Sequence, residues 1–209
     1  CDDSAAGWRV IAACRHPEES GEALRDLGSL VKPIAMDVTD LASVEAVARE
    51  EETPVDLLLN TAGIMGRNDD APGDVNFAEF AKVLDTNTMG PVRVLDAFVP
   101  RLALAGRARA ITITSGMGSI ADATSGNAMM YRTSKAAVNM AMRARALTLA
   151  AQGIVVAGIN PGWVRTDMGG PNAPLTVEDS VAHMRDVIDG LGPDRSGSFQ
   201  NWNGKTYPW

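Results

Sequence analysis

Short apolar runs alternate along this chain with longer stretches in which apolar residues recur every three or four positions. The runs at 8–14, 31–36, 54–60, 109–114 and 154–159 are rich in Val, Ile, Leu and Ala and are bounded by Gly, Pro, Asn, Asp or Ser, which predicts strands. The longer period predicts helices over 41–51, 77–104, 129–151 and 176–191. Thr39 or Asp40 is placed to cap the first of these, and Gly90 and Pro91 to bend the second. Gly190 and Gly192 end the last, and a short final strand falls within 197–202. The segment 66–74 reads as a surface connection, and 168–174, with its Gly and Pro, as a mobile flap.

Strand and helix in alternation imply an α/β fold: a doubly wound parallel sheet covered by helices on both faces. A length of 209 residues suits one domain over 1–209. Sheets of this kind take ligands beyond the carboxyl ends of their strands, where the strand order reverses. Asn60, Ser115 and Pro161 all fall at or just after predicted strand ends.

Composition narrows the function classes. The net charge of −7, with no basic run among aromatics, argues against a nucleic-acid or anionic-membrane partner. No apolar stretch is long enough to span a bilayer. Cys1 and Cys14 form neither a disulfide framework nor a zinc spacing, and His16 and His183 lie far apart in polar surroundings, so no metal site is expected. A reducing, cytoplasmic setting fits this cysteine usage.

The chemistry concentrates in Tyr131-Arg-Thr-Ser-Lys135. On a helix, a phenol and an ammonium four residues apart share one face, one turn apart. A nearby positive charge stabilises phenolate, which makes the tyrosine usable as a general acid or base. Ser115 ends the strand run before this helix and can hold a substrate carbonyl.

With Asp37-Val38, Asn60-Thr-Ala62-Gly63, Asn87, Ser115, Tyr131-x-x-x-Lys135 and Asn160-Pro-Gly-Trp-Val-Arg-Thr166 in this order, the chain resembles the short-chain dehydrogenase/reductase family over nearly its whole length. Pro-Gly-Trp-Val-x-Thr-Asp-Met and the C-terminal Gly-Lys-Thr-Tyr-Pro-Trp look most like its C-factor and carbonyl-reductase-like branch. The resemblance implies a Rossmann-type fold and hydride transfer between a nicotinamide cofactor and a small carbonyl or alcohol substrate. Tyr131 would protonate the carbonyl oxygen, and Lys135 would lower its pKa and bond the nicotinamide ribose. Ser115 would hold the carbonyl, and Asn87 would hold a water that relays protons towards Lys135. Asn60, Ala62 and Gly63 would line the adenosine side of the cofactor groove, with Asp37 and Val38 framing the adenine. Pro161, Gly162, Trp163 and Val164 would pack near the nicotinamide, where a side chain at Gly162 would collide with the ring, and Thr166 would bond the carboxamide or a phosphate. Arg15 stands where an acid would select NAD and can pair instead with the 2′-phosphate, which favours NADP over NAD. The three-residue gap between Tyr131 and Lys135 favours carbonyl over enoyl reduction. The two long helices resemble a pair that forms a homodimer interface in many relatives. Met117, Met129, Met130 and Met168 suggest an adaptable apolar substrate wall, or equally core packing.

The sequence departs from the family at its beginning. The first strand and the turn Thr-Gly-x-x-x-Gly-x-Gly, which cradles the cofactor phosphates, do not occur, and residues 1–7 correspond to the tail of the first helix. The expectation is a piece of a longer reductase lacking on the order of two dozen residues, and by itself a poor enzyme. The alternatives are a natural short form, and a signalling or scaffold protein that keeps the fold without turnover.

Overall fold

A computed structural model describes residues 7–19, 28–67 and 71–209. The expected helix tail at 1–7 lies outside them except for Gly7, as does the middle of the 66–74 connection. The chain forms two compact units, Cys1–Glu52 and Thr53–Trp209.

In the first unit β1 (Val10–Cys14) and β2 (Val31–Ala35) pair in parallel, from Val10 opposite Val31 to Cys14 opposite Ala35. A tight turn follows β2. The Asp37 carboxylate accepts bonds from the Thr39 N–H at 2.9 Å and its hydroxyl at 2.7 Å. Asp40, one of the two expected caps, then accepts from the Ala42 N–H and starts α1 (Leu41–Glu50). Val44, Val47 and Ala48 make the buried stripe of α1. A 2.8 Å ion pair joins Arg9, just before β1, to Glu51, just after α1.

The second unit is built on a parallel sheet in the order β3–β4–β5–β6: Leu57–Asn60, Arg109–Ile113, Val155–Asn160 and Phe199–Asn201. All six residues of β5 are buried, which is why its sequence is an unbroken apolar run rather than an alternating one. On one face Ile111, Val155, Ala157 and Ile159 pack with Val187 and Ile188 of α5 (Val177–Asp189) and with Leu191. On the other face lies α4 (Met129–Leu149), where a side chain at Gly158 of β5 would meet Asn139. Helices on both faces of a parallel sheet make this the Rossmann-type α/β architecture that the alternation predicts.

The helix expected over 77–104 is one run with a flaw at its centre. It comprises α2 (Phe77–Leu84), a wide π-turn (Asp85–Met89) and α3 (Gly90–Leu104). The sequence pointed to a bend at Gly90-Pro91. The run instead accommodates a proline that has no N–H to give by shifting register, so that the Gly90 N–H bonds back five residues to Asp85.

Candidate active site

Three strand ends and one helix face converge on a cavity of about 880 Å³ in the second unit. Its lining includes Gly63 after β3, Ser115 and Gly116 after β4, Asn160 to Val164 at the end of β5, and Tyr131 and Lys135 on α4. The size suits a bound small molecule.

Tyr131 and Lys135 are 7% and 4% exposed, one turn apart on α4, with the Lys135 Nζ 5.5 Å from the centre of the Tyr131 ring. The ammonium donates to the Ile113 carbonyl at 3.0 Å, which fixes it under the end of β4. Burial brings its pKa down from 10.5 to about 8. Burial also pushes the Tyr131 phenol up, partly offset by a hydrogen bond from Ser115. The net direction is opposite to the lowered phenol expected from the sequence: removing the hydroxyl from water outweighs the hydrogen bond from Ser115, and the group is held as an acid.

The pKa of Lys135 has a consequence for stability. Below pH 8 the side chain is charged in both states and burying that charge is costly. Between about 8 and 10.5 the unfolded chain holds the proton and the folded chain does not, so stability rises with pH across that window. Relative to Lys135→Met, the parent protein is expected to gain up to about 3 kcal/mol over this range in denaturant unfolding. A difference that stays flat with pH would contradict the burial argument.

Ser115 is positioned by the turn it begins. Its Oγ accepts from the Met117 N–H at 3.1 Å, capping a single 3₁₀ turn (Gly116–Gly118). Gly118 lies so close to α4 that an added Cβ would stand 2.7 Å from the Lys135 carbonyl carbon. The Asn160 carboxamide then ties three segments together. Its Oδ1 accepts from the Gly116 N–H at 2.9 Å and the Gly162 N–H at 3.2 Å, and its Nδ2 donates to Asn201 of β6 at 2.8 Å.

Asn87 is fully buried in the π-turn. Its carboxamide accepts from the Ile64 N–H and donates to the Ile64 carbonyl, both at 2.8 Å, and donates to the Ser134 hydroxyl at 2.9 Å. The side chain therefore anchors the segment after β3 against α4. Asn60, at the end of β3, donates to the Pro91 carbonyl and the Thr112 hydroxyl, both at 3.4 Å. Gly63 lies beside Asn87 and Lys135, whereas Ala62 is exposed and does not line the cavity.

Gly162 has φ of +82°, and a side chain there would meet Leu175 at 2.5 Å and Trp202 at 2.8 Å. The need for glycine is thus internal to the protein and does not depend on a nicotinamide ring. The flap expected at 168–174 is tied into a closed loop. Val164 bridges to Leu175, the Trp163 indole donates to the Gly169 carbonyl at 2.7 Å, and the Thr166 hydroxyl accepts from the Gly169 N–H at 3.1 Å. Of the four methionines singled out, Met117 and Met168 line the cavity, while Met130 is fully buried.

In the first unit, Arg15 is exposed at the end of β1. The Asp37 carboxyl is held below its usual range, mainly by the N–H and hydroxyl of Thr39 and to a smaller degree by the charge of Arg15. Val38 sits in the turn between Asp37 and Thr39.

Sequence reasoning missed Asn160 as a hub and Tyr207 as a cavity residue. The available signal was thin. The chain has only two tyrosines, and both line the same cavity.

The short chain dehydrogenase profile matches residues 4–174. The chain belongs to that family. It is 47% identical over 156 residues to C-signal of Myxococcus xanthus, covering 75% of this chain and 93% of that protein. The carbonyl reductase Sniffer of D. melanogaster superposes with a TM-score of 0.90 at 30% identity, covering 95% of this chain and 87% of the other. The NADPH-bound carbonyl reductase from chicken fatty liver gives a TM-score of 0.88 at 35% identity, covering 97% and 88%. The chain is an oxidoreductase of this family. No helix among the described residues is long and apolar enough to cross a membrane.

Proposed function

We propose that this protein reduces small-molecule carbonyls to alcohols with NADPH. The observation that carries the reading is the convergence of Tyr131, Ser115 and Lys135 on one cavity, with the Tyr131 oxygen accepting from Ser115. A buried phenol held as an acid is suited to protonating a carbonyl oxygen. Ser115 would hold that oxygen against the developing negative charge. Lys135, fixed on the Ile113 carbonyl, would steady the phenolate left behind. NADPH, when bound, supplies the hydride to the carbonyl carbon. The carboxamide of Asn87 is engaged on both sides, so a proton relay through this residue would use its main-chain carbonyl, which Pro91 leaves without its usual helical donor.

Two features support this cofactor: the NADPH-bound carbonyl reductase to which the chain is similar, and the exposed guanidinium of Arg15 after β1. Arg15 would pair with the 2′-phosphate, with Asp37 and Val38 beside the adenine. Asn60, Ala62 and Gly63 would lie on the adenosine side of the cofactor, and Pro161, Gly162, Trp163, Val164 and Thr166 near its nicotinamide. A homodimer across α3 and α4 belongs to the same reading, supported by the exposed Leu104, Met140 and Leu147.

The experiment compares kcat/KM for NADPH and NADH during reduction of an aromatic aldehyde. The parent protein is expected to prefer NADPH, and Arg15→Ala to reduce that preference about tenfold or more. Turnover with NADH alone would remove the NADP assignment. Turnover of no carbonyl compound with either cofactor, by a chain supplied with the phosphate-cradling turn, would remove the reductase reading.

A further inference from the structure

The cavity has a second polar end, which the proposed reaction does not use. Tyr207, near the C-terminus, lines it together with Asp122. The phenol is brought there by long-range contacts. The Tyr207 N–H bonds the Phe199 carbonyl of β6 at 2.7 Å, and its ring lies 5.0 Å from that of Phe199. Its oxygen is seated against the backbone next to Ser115, since a Cβ on Gly116 would stand 2.7 Å from it. Burial and then a hydrogen bond to the Asp122 carboxylate push the phenol's pKa up, so the hydroxyl keeps its proton and gives it to Asp122.

Hydrogen-bond bookkeeping gives this end its character. With its one proton committed to Asp122, the Tyr207 oxygen offers only lone pairs, and a carboxylate offers only lone pairs. The main-chain donors around it are engaged, and the two cations Lys135 and Arg132 are partly so. The Gly116 N–H is given to Asn160, the Met117 N–H to Ser115, and the Lys135 ammonium to Ile113. Arg132 spends its Nε on the Asn127 carbonyl and its Nη2 on Ser125 and Asn127. The remaining wall is largely apolar, including Met65, Met117, Trp163, Val177, Val181 and Met184.

We infer that Tyr207 and Asp122 select the substrate: the preferred carbonyl compound is an apolar or aromatic one bearing a hydrogen-bond donor, a hydroxyl or an ammonium, close to its carbonyl. The inference rests on the reductase reading for the identity of the reacting group. The apolar wall takes the body of the molecule, Ser115 and Tyr131 take the carbonyl, and the acceptor pair beside Gly116 takes the donor. A carboxylate on the substrate would face Asp122 with like charge and is disfavoured.

The test uses three matched aryl ketones: unsubstituted, bearing a hydroxyl or aminomethyl group, and bearing a carboxylate. Each is measured by kcat/KM with NADPH and, separately, by calorimetric binding of the corresponding alcohol. The donor-bearing compound is expected to exceed the unsubstituted one by about tenfold or more in both readouts, with the carboxylate weakest. Asp122→Asn, which keeps the shape and removes the charge, and Tyr207→Phe, which keeps the ring on Phe199, are each expected to bring that ratio within about threefold. Equal turnover of all three ketones, or a ratio untouched by either variant, overturns the selectivity and leaves the reductase reading standing. Donor-dependent binding that the variants abolish, with no turnover of any ketone by a chain supplied with the phosphate-cradling turn, upholds the acceptor pair and overturns the reductase reading.

Discussion

Replacing Tyr131 by Phe is expected to lower kcat for carbonyl reduction by about 100- to 10,000-fold, the usual contribution of a positioned general acid. Phenylalanine keeps the ring in its buried seat on α4 and removes only the oxygen, so the fold has little reason to respond. The loss of one hydrogen bond from Ser115 sets the stability change at about 1 kcal/mol. NADPH consumption gives the rate, and thermal unfolding controls for the fold. Turnover within a few-fold of the parent would mean that the proton comes from elsewhere, with the other phenol of the cavity, Tyr207, the first to suspect. The same variant separates the two function classes left open by the sequence. One is the reductase; the other is a signalling or scaffold protein that keeps the fold without turnover. A biological effect that survives Tyr131→Phe would favour the second.

The second large effect comes from a residue with no reactive group. Gly118→Ala is expected to reduce kcat/KM about 100-fold while costing about 1–3 kcal/mol of stability. The added methyl carbon would stand 2.7 Å from the Lys135 carbonyl carbon, 2.8 Å from the Lys135 Cβ and 3.0 Å from the Ala136 nitrogen. Those atoms belong to the middle of α4, which is buried through Met130, Val138 and Met142 and has little freedom to move. The 3₁₀ turn must therefore give way, and Ser115 caps that turn. A displacement of under an ångström would part the serine hydroxyl from the Tyr131 oxygen, with the penalty that misplaced catalytic groups incur. Steady-state kinetics and denaturant unfolding on the same preparation test this. A variant destabilised by the expected amount but turning over at the parental rate would show that Ser115 does not depend on the turn.

The strands and helices were legible because each is written locally, in a run of Val and Ile or in a repeat of three and four. The Tyr131–Lys135 face follows directly from helical spacing, and Ser115 and Pro161 from their places at strand ends. What escaped notice depends on residues distant in sequence. Asn160 works by gathering Gly116, Gly162 and Asn201, and nothing adjacent to it announces that. Tyr207 enters the cavity only because β6 returns beside β5. The π-turn was hidden for another reason: Gly90-Pro91 signals a disturbed helix, but whether it bends or changes register is decided by what the helix packs on. The direction of the Tyr131 shift was misjudged because burial, unlike charge, cannot be counted along a sequence.

The turn that Ser115 caps draws part of its support from Trp209. Ser119 and Ala121 both donate to the main-chain oxygen of Trp209, at 3.3 and 2.8 Å. During synthesis, Ser115, Tyr131 and Lys135 all leave the ribosome well before that oxygen exists. A nascent chain halted within α5 would hold every reacting group and still lack the brace behind Ser115. The brace behind Ser115 is therefore completed only after Trp209 has been added to the chain.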